Sequence, residues 1–434
     1  MATCNIGLIG AGTVGGGVIK IFNTQKSFYQ NKLGLSLVFK RIADKNTGLF
    51  NDLPVGEAIC SENADDILSD EEIQIVVELV GGTTFARELV LQSLSKGKHV
   101  VTANKALIAE HGHEIFETAE ENNVSVFFEA AVGGGMPVIK TIRESLLGND
   151  IISVRTIING TCNYILTQMS ERAAEFNDVL QEAQKNGYAE ADPTLDIGGG
   201  DTGHKLAILA SLLYGGYAPF EKIYIEGITH ITAEDIALAK SLGYCIKLLG
   251  IIKQNPTAPS TIDVRVHPCM LHTEHILASV SDVFNAVSIQ GDAVGHILLY
   301  GKGAGEMPTA SSVMGDIIDI ARNITEGSPR RIPMDFYSAA HELAITPMAS
   351  ITTRYFLRFS VVDKPKVLAA ITTVLGNHGI SLASVMQKER STGEFVPVIM
   401  ITHEANENNL QKAIAEIERQ DFIRRKTRII RIED

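Results

Sequence analysis

At 434 residues the chain is long enough for two or three domains with real cores, and a single domain is not expected. Its 38 basic against 51 acidic residues leave a net charge of −13, which argues against nucleic acid or an anionic membrane as the main partner and favours small polar substrates. Cys4, Cys60, Cys162, Cys245 and Cys269 are an odd set without C-x-x-C spacing, so neither a disulfide framework nor structural zinc is expected; with no leader and no apolar run near ~20 residues, the chain reads as cytoplasmic and without a membrane span.

The chain opens on a short apolar run, Cys4 to Ile9, that feeds directly into Gly10-Ala11-Gly12-Thr13-Val14-Gly15. That order predicts a grip on a dinucleotide. Gly10 permits a tight turn, Gly12 lets backbone N–H groups approach a pyrophosphate, and Gly15 lets the next helix pack close to its strand. A helix over roughly residues 13–22 turns its positive end, at Thr13 and Val14, to the phosphates. Further β-rich runs at 35–43, 75–79, 99–102 and 124–129 alternate with helix-compatible segments, which implies a parallel sheet with ligands outside the carboxyl ends of its strands.

Those ends carry Asp44-Lys45, Val80-Gly81-Gly82-Thr83, Ala103-Asn104-Lys105 and the stretch 129–135. Lys105 there would lie near the nicotinamide and the reacting oxygen; the alternative is a solvated lysine that merely opens a helix. Asp44 could bind a ribose 2'-hydroxyl and favour NAD, whereas Lys45 or Arg41 could meet a 2'-phosphate. The spacing from the glycines exceeds the usual ~20 residues because of an insertion around 27–34.

From about Ile151 the pattern changes to a second, mixed α/β unit with β runs at 263–266 and 296–300. Its densest segment, 187–205, places Glu190, Asp192, Asp196, Asp201 and Lys205 within nineteen residues. Asp201 and Lys205 are i and i+4, so they share a helix face. A surface ion pair is the plain alternative, but the helix continues as Ala, Ile and Leu, which turns Lys205 into a partly enclosed site. Burial there would lower the ammonium pKa and the carboxylates would raise it, leaving a group able to give and take a proton. His204 points about 100° away round the helix and is not assigned the transfer. Glycines 198–200 and the run Gly301-Lys302-Gly303-Ala304-Gly305 lie beside charges and read as functional loops.

His267, His272 and His275 lack a fourth local ligand, so zinc is not expected there; His111 and His113 are expected to be solvated. Residues 321–350 look like a connector. The last part repeats strand 355–361, helix 366–377, strands 380–387 and 395–402, helix 408–419 and strand 427–432, a ferredoxin-like βαββαβ order. The basic cluster Arg424-Arg425-Lys426 is read as a charged approach to an edge strand rather than a nucleic-acid patch.

On Gly10 to Gly15, Thr102 to Lys105, Glu129 to Pro137, Asn159 to Leu166, Gly187 to Lys205 and Gly301 to Gly305, the chain resembles the homoserine dehydrogenases along nearly its whole length, in the longer form with a C-terminal ACT domain. The resemblance implies a Rossmann-type domain over 1–130 with a return segment at about 306–325, a substrate and dimerisation domain over 131–320, the connector 321–350 and an ACT regulatory domain over 351–434. It implies reduction of L-aspartate 4-semialdehyde to L-homoserine with NADP, or NAD. Lys205 would then donate the proton, with Lys105 near the hydride path. Glu190 and Asp201 would hold the amino acid and Asp196 would support the site, while Gly187 and Gly303 would contact the cofactor. Glu129, Val132, Gly134 and Met136 would hold a structural monovalent cation such as Na+, largely through backbone carbonyls.

Cys162 is read as a small buried side chain, because a hydride transfer needs no nucleophile; a semialdehyde dehydrogenase working through a thioester would need one. The ACT unit implies L-threonine feedback through Asn377, His378, Gly379, Ile380 and Ser381. Lys366 departs from the family's glycine, and its side chain is expected to occupy space at that site. Pairing of ACT units and an exposed sheet in the second domain imply a homodimer or homotetramer. A catalytically idle nucleotide-binding amino-acid sensor is the alternative function.

Overall fold

Short Val- and Ile-rich runs separated by helices build the first layer of the protein, seen in a computed structural model that describes residues 3–255, 261–328, 341–387 and 395–434. Strands β1 (Thr3–Ile9), β2 (Ser36–Ala43), β3 (Ile59–Ser61), β4 (Ile75–Glu78), β5 (His99–Thr102) and β6 (Val126–Phe127) form a parallel sheet in the order β3-β2-β1-β4-β5-β6. Helix α1 (Thr13–Leu33) runs a full three turns beyond the expected stop. The insertion expected around 27–34 therefore lies in the last turns of this helix, and Gly34, at φ +69, ends it. Helices α2 (Asp65–Leu68), α3 (Phe85–Ser95) and α4 (Lys105–Glu121) complete the connections. The return segment is helix α11 (Glu306–Thr325), whose Val313, Met314, Ile317, Ile320 and Ala321 share a core with α1.

The second layer is one large mixed sheet. Its strands β7 (Ile151–Ile157), β9 (Tyr244–Gln254), β10 (Thr261–His272), β11 (Phe284–Gly291) and β12 (Gly295–Lys302) run in the order β12-β11-β7-β9-β10, with β8 (Tyr224–Ile225) and β13 (Ala344–Ile345) pairing beside β10. The two β runs expected here are parts of longer strands. Residues 344–345 belong to the sheet rather than to a plain connector, because they pair with Thr261 and Ile262; residues 329–340 of that expected connector lie outside the described residues. Helix α5 (Val138–Lys140) precedes β7, and helices α6 (Gly160–Arg172), α7 (Phe176–Lys185), α8 (Thr194–Ile197), α9 (Gly200–Tyr214) and α10 (Ala233–Ser241) lie between these strands in sequence. Helix α9 is buried from Asp201 to Leu212, as its apolar composition demands.

The C-terminal unit follows the expected order: β14 (Thr352–Val361), α12 (Val367–Asn377), β15 (Leu382–Gln387), β16 (Val396–Thr402), α13 (Glu407–Ile417) and β18 (Ile423–Glu433), with a two-residue strand β17 (Ala405–Asn406) added. It does not stand apart. Cys269, Met270 and Leu271 of β10 pair with Arg431, Ile432 and Glu433 of β18, so its sheet continues that of the second unit. Arg424, Arg425 and Lys426 lie in the first half of β18, exposed, before β10 joins the strand. Lys366 sits at φ +75, a left-handed conformation that explains why glycine suits the position, and its side chain is exposed rather than filling a pocket. Among the described residues, no helix is long and apolar enough to cross a membrane.

Candidate active site

At the end of β1, Gly10 adopts φ +98, and a Cβ there would stand 2.7 Å from the Leu79 carbonyl. A Cβ on Gly15 would lie 2.0 Å from the Gly10 oxygen, so strand and helix approach to a distance that only glycine allows. Gly12 differs. Nothing lies within 4 Å of its Cβ position, and α1 starts there without a side-chain cap. The unpaired first-turn N–H groups around Thr13 and Val14 therefore suit an anion such as a pyrophosphate.

The loop is braced by its neighbours. Asp44 Oδ2 accepts from Ala11 N–H at 2.7 Å and Oδ1 from Asn46 N–H at 2.8 Å. Arg41 is turned to Asp70, at 2.8 Å, whereas Lys45 is exposed with its ammonium 5.4 Å from the Phe85 ring centre. Glu78, fully buried, accepts from the Val80 and Gly81 N–H groups and from the Thr102 hydroxyl. Asn104 caps α4 by accepting from Leu107 N–H and donates to the Gly82 carbonyl at 2.6 Å. The loops after β4 and β5 are thus tied to each other, and Lys105 is left as the first residue of α4.

Lys105 and Lys205 converge on one carboxylate. Asp201 Oδ1 is 3.0 Å from Lys105 Nζ, and Oδ2 is 2.7 Å from Lys205 Nζ. Lys205, 9 % exposed, also donates to the Ile158 carbonyl at 2.6 Å. Two of its three N–H groups are therefore engaged, and one remains for a substrate oxygen. Burial acts to raise the Asp201 pKa, but Lys205, Lys105 and the Asn159 amide overcome it and hold the carboxyl far below the usual range. Burial acts to lower Lys105, and Asp201, with Asp196 and Glu190 further off, raises it instead.

Asn159 is the residue that sequence reasoning passed over. Its amide donates to Asp196 at 2.7 Å and to Asp201 at 2.9 Å, while its oxygen caps α6 at Cys162 N–H, 2.8 Å away. Thr161 donates to the Tyr188 carbonyl at 2.7 Å and lies 3.3 Å from Asp196. The available signal was an Asn-Gly-Thr run after a strand and before a helix, which reads as an N-cap.

Glu190 is exposed at the rim, and Gly187 is exposed with φ +75, closing the end of α7. Cys162 is fully buried, its thiol on the Asp196 carbonyl at 3.2 Å, and burial first, then the neighbouring carboxylates, push its pKa well up; a thiolate nucleophile is disfavoured. Gly303 packs where a Cβ would meet the Asn285 side chain at 1.7 Å, and Gly134, at φ +57, would meet the Gly303 oxygen at 2.4 Å. The Glu129 carboxylate accepts from the Ile139 and Lys140 N–H groups, at 2.8 and 2.7 Å, and burial pushes it up to about 7. The Gly134 carbonyl accepts from Ser312, at 2.6 Å, and that of Met136 from Val138 N–H at 2.8 Å; Val132 is buried beside them.

One histidine expectation needs correction. His111 and His113 are half-buried, and His113 packs on Tyr217 at 5.5 Å, because α4 lies against the second unit. His267 is buried against Arg265 and Pro268, His275 accepts from Leu277 N–H, and His272 lies at the surface near Glu274. Among the described residues, no group of three or more His, Cys, Asp or Glu is placed to hold a metal.

Family models match three stretches: the homoserine dehydrogenase NAD-binding domain over 10–129, the homoserine dehydrogenase domain over 137–318 and the ACT domain over 355–422. A homoserine dehydrogenase of Pseudomonas aeruginosa is 44 % identical over 96 % of both chains. The chain belongs to the homoserine dehydrogenase family. Its relative in Neisseria gonorrhoeae is 41 % identical over 100 % of this chain and 99 % of the other. The crystal structure of a homoserine dehydrogenase from Thiobacillus denitrificans superposes with a TM-score of 0.94 at 43 % identity, covering 100 % of this chain and 99 % of that one. A hyperthermophilic archaeal homoserine dehydrogenase in complex with NADPH matches at a TM-score of 0.62 and 28 % identity, over 73 % of this chain and 97 % of that one. The chain is thus an oxidoreductase built for a nicotinamide dinucleotide, and nothing favours the idle-sensor alternative. In the ACT unit of the chain, Asn377 ends α12, His378 lies 3.0 Å from Glu416, Gly379 adopts φ +72, Ile380 is buried and the Ser381 carbonyl accepts from His403 N–H.

Proposed function

We propose that the chain interconverts L-aspartate 4-semialdehyde and L-homoserine, with Lys205 as the proton donor to the aldehyde oxygen in the reducing direction. The observation that carries this reading is the meeting of Lys105 and Lys205 on the buried Asp201 carboxylate, beside strand ends braced for a dinucleotide. When bound, the nicotinamide supplies the hydride. The chain has to orient the aldehyde, protonate its oxygen and grip the charged ends of the amino acid. Lys205 has one N–H free for that oxygen, Lys105 lines the approach, Glu190 receives the ammonium group with Asp201, and Asp196 supports them through Asn159.

NADP is the preferred cofactor in this reading. Both Asp44 oxygens already accept backbone N–H groups and Arg41 is paired with Asp70, so the exposed Lys45 is the group suited to a 2'-phosphate. Gly10, Gly12, Thr13, Val14 and Gly15 take the pyrophosphate, and Gly187 and Gly303 complete the cofactor contacts. A monovalent cation such as Na+ would be held by Glu129 and the carbonyls of Val132, Gly134 and Met136: a carbonyl oxygen that accepts one hydrogen bond keeps a second lone pair, and a cation would compensate the buried carboxyl at 129.

The domains divide at 1–130 with 306–325, 131–320, and 351–434 after a connector. L-Threonine binds around residues 377–381 and inhibits. Exposed Tyr300 on the edge strand β12, with Val385 and Met386 on the edge strand β15, support a homodimer or homotetramer. All five cysteines are free, in keeping with the reducing cytoplasm. The test follows cofactor absorbance with homoserine at alkaline pH. Turnover in the wild type that disappears in Lys205→Ala, with nucleotide affinity retained, supports the reading; equal rates in both overturn it.

A further inference from the structure

Arg431 belongs to the C-terminal unit and reaches out of it. Its Nε and Nη2 donate to Glu407 at 3.0 and 2.8 Å, and Glu407 also accepts from the Tyr355 hydroxyl at 2.8 Å. All three side chains are buried. The remaining arm, Nη1, donates to Glu226 Oε2 at 2.7 Å, on the segment that follows β8. Tyr224 donates to the same oxygen at 2.8 Å, and its ring lies 5.2 Å beneath the guanidinium. Chemistry at Lys205 uses none of these groups.

On its other side this segment holds the loop of the candidate site. Glu226 N–H donates to the Val266 carbonyl at 2.8 Å, and Ile228 N–H donates to the Ile197 carbonyl at 2.9 Å. Gly227 lies so close to the end of α8 that a Cβ there would stand 2.1 Å from the Ile197 oxygen and 2.6 Å from Gly198 Cα. Ile197 directly follows Asp196, which shares the Asn159 amide with Asp201. A backbone in such contact cannot shift without carrying its neighbour with it.

We propose that Glu226 and Arg431 are positioning residues: the C-terminal unit fixes residues 226–228, and these fix the α8 loop that carries Asp196 and leads into Asp201. The C-terminal βαββαβ unit is therefore a structural part of the site. This inference rests on the reading of Asp196, Asp201 and Lys205 given under the proposed function.

Glu226→Ala in the full chain removes the strut but leaves Arg431 paired with Glu407, and Glu226 is only half-buried, so the variant keeps its fold. Its kcat/KM for homoserine falls about tenfold, as a displaced catalytic constellation requires, with nucleotide Kd unchanged. Glu226→Gln, which keeps the length and an acceptor, recovers part of the loss. Tyr355→Phe removes a hydrogen bond from the same buried group on the far side of Glu407; it lowers thermal stability and leaves substrate kinetics as they were. Amide hydrogen exchange over residues 194–201, faster in Glu226→Ala and unchanged in Tyr355→Phe, reads the same coupling without turnover. Unchanged exchange and unchanged kcat/KM in Glu226→Ala overturn the inference, as does an equal kinetic loss in Tyr355→Phe. A wild type that exchanges as described but fails to oxidise homoserine overturns the assigned reaction and leaves the strut standing.

Discussion

Removing the Lys205 ammonium leaves Asp201 with Lys105 and Asn159, so the fold has other partners for the carboxylate while the proposed acid is gone. Lys205→Ala is expected to lower kcat by about 10²–10⁴-fold, the usual range for a general acid, with nucleotide Kd intact by fluorescence titration. Asn159→Ala acts differently, because one side chain caps α6 and bridges two carboxylates. Loss of the cap costs about 1 kcal/mol, and both Asp196 and Asp201 lose a donor, so melting temperature and kcat/KM should fall together. The lysines and carboxylates were legible because charge stands out in an apolar helix. Asn159 was not, because an asparagine before a helix reads as an ordinary cap, and only the fold brings residues 196 and 201 to it.

The glycine turn and the inter-unit joint make predictions that belong to whole elements. A Cβ at residue 12 meets open space, whereas one at residue 15 meets the Gly10 oxygen at 2.0 Å. Gly12→Ala should keep the melting temperature of the nucleotide-free protein and weaken nucleotide Kd; Gly15→Ala should lower the melting temperature itself. At the joint, burial acts to raise Glu226, but His230 and Arg431 hold it down at about 2; in Glu433, Lys253, Arg155 and Arg265 likewise outweigh burial and hold it at about 2. Folded pKa values below the ordinary 4.5 mean that these groups stabilise the native state above that pH. The contribution is lost as pH falls from there through about 2. Thermal unfolding measured across that window should show a steep acid loss, shallower in Glu226→Gln. Strand ends and the glycine turn were readable from local pattern. The length of α1 was not, since residues 27–33 mix Phe28, Tyr29 and Leu33 with polar side chains in no clear helical period and gain their helix by continuing one already nucleated.

At the scale of the molecule, the C-terminal sheet and the second unit form one continuous surface through β10 and β18, and Phe356, Ile399, Ile401, Ile430 and Ile432 belong to the core that also contains α9. A chain cut near Ser350 would expose the β10 edge and strip that core, so it should be poorly soluble and melt early in calorimetry. Threonine inhibition is better tested in the full chain, where Asn377→Ala should abolish it; inhibition of equal strength in that variant would count against the assigned loop. The sequence by itself determined the Rossmann-type opening, the βαββαβ ending and the identity of the charged groups at the centre, because strand period, glycine placement and i,i+4 spacing are local properties. Only the tertiary structure decided that Lys105, from one unit, and Lys205, from another, meet on Asp201, and that Arg431, far along the chain, braces the loop beside them. Contacts between residues so distant in sequence arise from how sheets and helices pack, and no local pattern records them.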